Sequence, residues 1–388
     1  MPGFDDIPAL LQARQQQQLY RQRRVVESPQ ARVIMVNGNE LLNLCSNDYL
    51  GLANDDRIRQ AFISGVNTWG VGSGASHLVC GHTRAHHYLE EQLAEFTARP
   101  RALMFSSGYA ANLGAINALV SAGDAVFEDK LNHASLLDGG LLSRANFKRF
   151  RHKDCNHLND QLGQISASDG RKLIVTDGVF SMDGDLCDID ALCQIGTEHK
   201  AWLMVDDAHG FGVLGEEGRG VVNPAIHSSD DVQVLVGTLG KAFGTQGAFI
   251  AGSEELIETL IQNARTFIYT TALPAAVAVA TTESLRIVRT EHWRREKLQA
   301  LIAQFREGAQ VLGLDLLPST TPIQPVLMDS EANALQVAQQ LEDQGILVTA
   351  IRPPTVPAGT SRLRITFTAN HTEADVSQLL HALKRAML

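Results

Sequence analysis

The sequence predicts an α/β protein in two parts: a mostly parallel central sheet covered by helices on both faces, then a smaller α+β region toward the C-terminus. Three observations predict it. Compact apolar runs alternate with helix-like segments across the middle of the chain, as expected for buried parallel strands. The texture changes near Thr281, after which long amphipathic stretches dominate. A length of 388 residues exceeds what one hydrophobic core usually serves. The expected divisions are an N-terminal helical arm with short strands (1–45), a large α/β domain (46–281) and a small α+β domain (282–388).

In chain order, polar helix formers through Arg24 predict an exposed arm-like helix. Arg32–Val36 and Leu41–Leu44 predict a strand pair joined by the turn Asn37-Gly38-Asn39. Glycines crowd the stretch 70–81, the mark of a loop with unusual backbone angles or a close ligand approach. The central strands are expected at Ala102–Phe105, Ala125–Phe127, Leu173–Thr176, Trp202–Val205, Val232–Val236 and Ala248–Ala251. Beyond them come a charged helix (Trp293–Val311), a strand Pro325–Leu327, a helix Ala332–Gln344, strands Leu347–Ile351 and Leu363–Phe367, and a last helix.

Composition narrows the function. Hydrophobic residues at 44% and charged residues at 20% suit an ordinary globular protein. A formal charge of -10, with Arg21, Arg23 and Arg24 as the one basic cluster, argues against nucleic acid as the main partner. The five cysteines are scattered and build neither a disulfide framework nor paired zinc spacing, which points to a reducing compartment. No apolar run suits a secretory signal or a membrane span, so a cytoplasmic protein is expected.

Ligands of open α/β sheets sit beyond the carboxyl ends of the strands. Four polar groups fall there: Ser106-Ser107-Gly108-Tyr109 opening a helix at Ala110, Ser181-Met182-Asp183-Gly184-Asp185, Asp206-Asp207-Ala208-His209, and Thr238-Leu239-Gly240-Lys241. Amides at a helix start attract phosphate. A phosphate cradle, a buried carboxylate, an imidazole and a lysine are together what pyridoxal 5'-phosphate (PLP) requires. Its aldehyde takes the lysine as a Schiff base and its ring nitrogen wants the carboxylate, a pairing worth ~4 kcal/mol of Coulomb energy at an effective dielectric near 20.

Val205-Asp206-Asp207-Ala208-His209-Gly210 and Thr238-Leu239-Gly240-Lys241-Ala242-Phe243-Gly244 resemble the α-oxoamine synthases, a family of fold-type I, aspartate aminotransferase-like PLP enzymes. The resemblance spans nearly the whole chain. It includes Ser46-Asn47-Asp48-Tyr49-Leu50-Gly51-Leu52, Asn132-His133-Ala134-Ser135 and Val179-Phe180-Ser181-Met182-Asp183-Gly184-Asp185. It implies that Lys241 carries PLP, Asp206 pairs with the ring nitrogen and His133 stacks on the ring. It further implies that His209 and Ser181 bond the phenolic oxygen region, and that Thr238 with the backbone at Gly108 and Tyr109 holds the phosphate. The family is dimeric with shared sites, so Thr270 and Thr271 are expected to reach a neighbouring subunit's phosphate.

The stretch from Ile351-Arg352-Pro353-Pro354-Thr355 to Arg362-Leu363-Arg364 resembles the biotin-pathway branch of that family. That branch condenses L-alanine with a pimeloyl thioester carried on coenzyme A or acyl carrier protein, releasing carbon dioxide and the thiol carrier. The resemblance assigns the alanine carboxylate to Arg364 with Asn47, the acyl channel to Thr355, and a substrate contact to Arg21 on the N-terminal helix. Three positions depart from the pattern: Ala75 and His77 where relatives often carry Gly and Arg, and Asp177 where Glu is expected. The competing functions are a glycine-using acyltransferase and a PLP-fold binding protein without turnover.

Lys241 is not a P-loop lysine, because Leu235 occupies the first glycine position and Ala242 replaces Ser/Thr. Gly70-x-Gly72-x-x-Ala75 follows a helix-like segment rather than a strand, against a dinucleotide fingerprint. His82, His86 and Glu90 read as a polar helix face, no further ligand or second shell being evident, so no metal is expected. Arg362 and Arg364 share a strand face, and either could anchor the carboxylate.

Overall fold

The computed structural model describes residues 3–17, 19–165 and 170–387. Seven strands form the central sheet in the spatial order Arg101–Phe105, Ala248–Gly252, Val234–Thr238, Trp202–Asp206, Lys172–Asp177, Ala125–Asp129 and Asn146–Phe150. Ala248–Gly252 runs antiparallel to both neighbours, and the other pairings are parallel. The edge strand Asn146–Phe150 escapes sequence reading because it is half polar and only Phe150 is buried. Central strands are buried on both faces, which is why they read as continuous apolar runs. Leu103 and Phe105 face one core with Ile116, Leu136 and Leu256, whereas Ala102 and Met104 face the other with Leu89, Leu93 and Phe96.

Two smaller sheets complete the fold. Ile323–Leu327, Arg362–Thr366 and Thr349–Ile351 form an antiparallel trio with Arg362–Thr366 in the middle. Val33–Val36 and Asn39–Asn43 form a hairpin closed by Asn37 and Gly38 at φ 50° and 79°, the left-handed values a two-residue hairpin turn demands. Ile346–Leu347 adds to that hairpin in parallel. The single strand expected at Leu347–Ile351 is therefore two short strands in two sheets, divided at Val348. The N-terminal helix is also shorter than expected, spanning Ile7–Gln16, so Arg21 lies on a coil segment after it and not on the helix. The charged helix Trp293–Val311 forms as expected, with Leu298, Leu301, Ile302 and Phe305 buried. No helix among the described residues is long and apolar enough to cross a membrane.

Candidate active site

Four central strands deliver polar residues to one cavity of about 360 Å³ at their carboxyl ends, a volume suited to a small cofactor. Strand Arg101–Phe105 runs into Ser106 and Ser107, and Ser107 caps the helix Gly108–Leu119 by accepting the Ala110 N–H at 3.1 Å. The helix starts two residues before the expected Ala110, so Gly108 and Tyr109 occupy its first two positions. Their amides have no partner inside the helix, and both residues line the cavity. A Cβ on Gly108 would lie 2.6 Å from Thr238 Cγ2, so only glycine keeps this corner open. Thr238 ends its own strand opposite, and Lys241 follows it on the cavity floor.

Asp206 closes the strand Trp202–Asp206 and is buried. Its Oδ1 accepts the Ala208 N–H at 3.0 Å and its Oδ2 accepts Asn112 Nδ2–H at 2.6 Å. Asn112 also donates to Ser135 Oγ at 2.9 Å, and the Ser135 hydroxyl lies 2.8 Å from His133 Nδ1. The Ser135 backbone N–H also donates to Nδ1 at 3.3 Å, so Nδ1 is the acceptor and the ring proton sits on Nε2. Asp206 and His133 are thus tied by a short relay through two neutral side chains. The His133 backbone is fixed separately, its N–H donating to Asp177 Oδ2 at 2.8 Å. Burial lowers the His133 pKa, with Asp206 opposing and Lys241 reinforcing.

His209 is buried, and its Nδ1 lies 2.6 Å from the Tyr49 hydroxyl. Burial pushes the Tyr49 pKa up to about 12, so the phenol keeps its proton. That proton goes to Nδ1 in preference to Asn47 Oδ1, which is 3.3 Å away, and leaves His209 protonated at Nε2. Burial, then Lys241, Arg364 and His133, hold His209 far below its ordinary pKa, so the ring is neutral. Lys241 is pushed down to about 8 by burial, against the pull of Asp206 and Asp177. Burial and the neighbouring Asp206 raise Asp177 well above a normal carboxylate. Asp207, adjacent in sequence, points away: its Oδ2 accepts the Val221 N–H at 2.7 Å and it does not line the cavity.

The strand Arg362–Thr366 separates the two candidate arginines. Arg362 pairs with Asp183 at 2.8 Å and is spent on that contact. Arg364 is 7% exposed and its partners are neutral: Ser181 O at 2.7 Å, Thr366 Oγ1 at 3.0 Å, Asn47 Oδ1 at 3.2 Å and the Tyr49 hydroxyl. Among the described residues no carboxylate pairs with it. Ser181 and Asn47 both line the Lys241 cavity, so the Arg364 head sits at its edge.

Gly108, Tyr109, His133, Ser181, Asp206, His209, Thr238, Lys241 and Asn47 therefore share one cavity. Arg21 and Thr355 do not line it; they meet instead in a neighbouring cleft of about 1000 Å³ with Leu10, Tyr20 and Arg352. Thr270 and Thr271 lie outside both, near the surface, where Thr271 bridges to Ser76. The sequence reading missed Asn112, Ser135 and the role of Tyr49. An asparagine in the apolar helix Gly108–Leu119, one turn after the phosphate-type glycine, was the available signal.

Residues 39–383 match the family Aminotransferase class I and II. The chain is 60% identical over 370 residues to the 8-amino-7-oxononanoate synthase of Saccharophagus degradans, covering 95% of this chain and 93% of that protein. Among solved structures, the serine palmitoyltransferase of Sphingomonas wittichii superposes with a TM-score of 0.92 at 31% identity, over 99% of this chain and 96% of that one. The 8-amino-7-oxononanoate synthase of Francisella tularensis superposes with a TM-score of 0.77 at 34% identity, over 89% of this chain and 97% of that one.

Proposed function

This chain belongs to the class I and II aminotransferase family, and we propose that it is a PLP-dependent acyltransferase catalysing the 8-amino-7-oxononanoate synthase reaction of biotin synthesis. L-Alanine condenses with a pimeloyl thioester, on coenzyme A or acyl carrier protein, and carbon dioxide and the free thiol carrier leave. The observation that carries the amino-acid half is Arg364, a buried cation with no carboxylate partner among the described residues, at the edge of the lysine cavity. The curated relative's identity over nearly the full length supports alanine over glycine as the amino acid.

The cavity fits PLP on its own features: a corner open only with glycine, two unpartnered helix amides beside Thr238, a buried carboxylate and a lysine with a lowered pKa. When bound, PLP supplies a conjugated ring that accepts the electron pair released at the substrate Cα. Gly108, Tyr109 and Thr238 would hold its phosphate, Asp206 a proton at its ring nitrogen, and His133 one ring face. Ser181 and the His209 Nε2–H would serve its ring oxygen.

Arg364, steadied by Asn47, takes the alanine carboxylate and so fixes which bond at Cα stands ready to break. The amine of Lys241, with its pKa near 8, moves the proton at that carbon, close to the pKa that suits an acid–base group at neutral pH. The Asn112–Ser135 relay keeps Asp206 and His133 oriented without drawing charge from either. Arg21 and Thr355 line the cleft that receives the acyl chain. A second copy of the chain supplies Thr270 and Thr271 to the neighbouring phosphate. Supporting that assembly, Val71, Val79 and Tyr269, which flank the Ser76–Thr271 bridge, leave large apolar side chains uncovered.

The deciding experiment is mass-spectrometric identification of the product formed from alanine or glycine with each pimeloyl thioester. The nine-carbon-chain amino ketone acid from alanine is expected. A product formed equally well from glycine, or none from either carrier, overturns the proposal.

A further inference from the structure

Away from the cofactor cavity, the turn 77–81 and the helix Arg84–Thr97 bring five imidazole and carboxylate side chains around a cleft of about 310 Å³. His82, His87, Glu90 and Glu91 line it together with His77. The helix-face trio His82, His86 and Glu90 expected from sequence does not survive. His82 precedes the helix, and His86 is turned inward, its Nε2 lying 2.7 Å from Leu273 O and its Nδ1 accepting the Thr83 N–H at 3.1 Å. His87 takes its place: one ligand atom each from His82, His87 and Glu90 lies within 4.8 Å of the other two.

The structure replaces His86 by His87 and adds the second shell that the sequence could not supply. Glu90 Oε1 is fixed by the Met104 N–H at 2.9 Å, which leaves Oε2 free, 3.9 Å from His82 Nε2. His82 Nδ1 lies 2.9 Å from His77 Nδ1. When Nδ1 of His82 carries the shared proton, its Nε2 presents a lone pair to the cleft, the way a second-shell partner sets a ligand's tautomer. His77 is itself held, stacked on Phe267 at 5.0 Å. The nearby cation Arg101 is engaged by Glu254 and Glu258 at 3.2 and 3.4 Å. We propose that His82 Nε2, His87 and Glu90 form a binding site for a divalent first-row metal ion of the zinc class, with a fourth position open to water.

Two imidazoles and a carboxylate suit Zn²⁺ over Mg²⁺ or Ca²⁺, which prefer oxygen alone. A tetrahedral site needs ligand atoms about 3.3 Å apart, so from 3.9 Å His82 and Glu90 must close by about 0.6 Å, and the trio as a whole, within 4.8 Å, by up to about 1.5 Å. His87 can do this, because its side chain is 62% exposed and held only loosely by Glu91 at 3.5 Å.

The test uses the full-length, PLP-loaded protein dialysed against a chelator and titrated calorimetrically with zinc chloride. One equivalent per chain is expected, with affinity at least tenfold weaker in His87→Gln and unchanged within threefold in the control Glu91→Gln. His87 is exposed, so His87→Gln folds as the parent does, and circular dichroism checks this. Absence of a stoichiometric binding event in the parent, or less than tenfold weakening in His87→Gln, overturns the proposal.

Discussion

Arg364 is where the structure makes its sharpest demand. Its guanidinium donates to Ser181 O, Thr366 Oγ1 and Asn47 Oδ1, and its positive charge is left for the substrate. Arg364→Lys keeps the charge but loses the planar fork that bonds a carboxylate at two points. Alanine binding should weaken and the chemical step should slow with it, because a tilted carboxylate misaligns the Cα–H bond. Arg364→Ala removes the charge partner as well. Truncating one side of a desolvated charge pair costs about 2–5 kcal/mol, or roughly 30- to 4,000-fold in affinity at 1.4 kcal/mol per decade. Thioester binding should change far less, since Arg21 and Thr355 line a separate cleft. Arg362→Ala is the internal control. It breaks a buried pair with Asp183 at 2.8 Å, so it should lower stability while leaving alanine affinity near that of the parent. The assay is steady-state kinetics in each substrate, joined to titration of the bound cofactor's visible band with alanine. Normal alanine binding in both Arg364 variants together with its loss in Arg362→Ala would refute the reasoning.

The remaining expectations follow from the same contacts. Purified protein should be yellow, and borohydride should fix a pyridoxyl adduct to Lys241; a colourless protein that PLP does not reconstitute contradicts the cofactor assignment. Asp206→Asn should fold, since the amide is nearly isosteric, yet turn over up to about a thousandfold more slowly, the limit set by ~4 kcal/mol of lost Coulomb energy; near-parental turnover removes Asp206 from the role. Asn112→Ala leaves Asp206 Oδ2 and Ser135 Oγ short of a donor and should cost about 1–3 kcal/mol of stability, measured by urea denaturation, with no loss refuting the relay. His152 lies 3.0 Å from both Asp129 and Asp185. Burial alone would lower its pKa, but the two carboxylates outweigh burial and raise it to about 9 from an ordinary 6.5. A raised folded-state pKa stabilises fully below pH 6.5, and that contribution fades as pH climbs through 9. The melting temperature should therefore fall over that interval, and less steeply in His152→Gln; parallel profiles would show that the pair of carboxylates does not hold the charged ring.

Much of the site was legible because it is written locally. A glycine at a helix start, a carboxylate at a strand end and a lysine three residues past another strand end are set by short-range backbone geometry, so Gly108, Asp206 and Lys241 could be assigned from their segments. Arg21 was misplaced for the converse reason. Its neighbours are good helix formers, but the helix Ile7–Gln16 has no buried residues, and without packing nothing carries it on to Arg24.

By itself the sequence determined the elements that bury an apolar run and which face each presents, but not the half-polar edge strand Asn146–Phe150. Apolar runs and their period specify burial, and burial is the dominant force acting on each segment. Only the tertiary structure decided what each polar group is spent on. Arg362 and Arg364 are two residues apart on the same face, yet one is consumed by Asp183 and the other left free beside Ser181 and Asn47. His86 and His87 are adjacent, yet Leu273 O draws one into the core and leaves the other at the surface cleft. Those partners lie from 179 to 317 residues away along the chain. A charge or an imidazole is committed by whichever group meets it within about 3 Å, and that distance is set by the packing of whole elements, which no local pattern encodes.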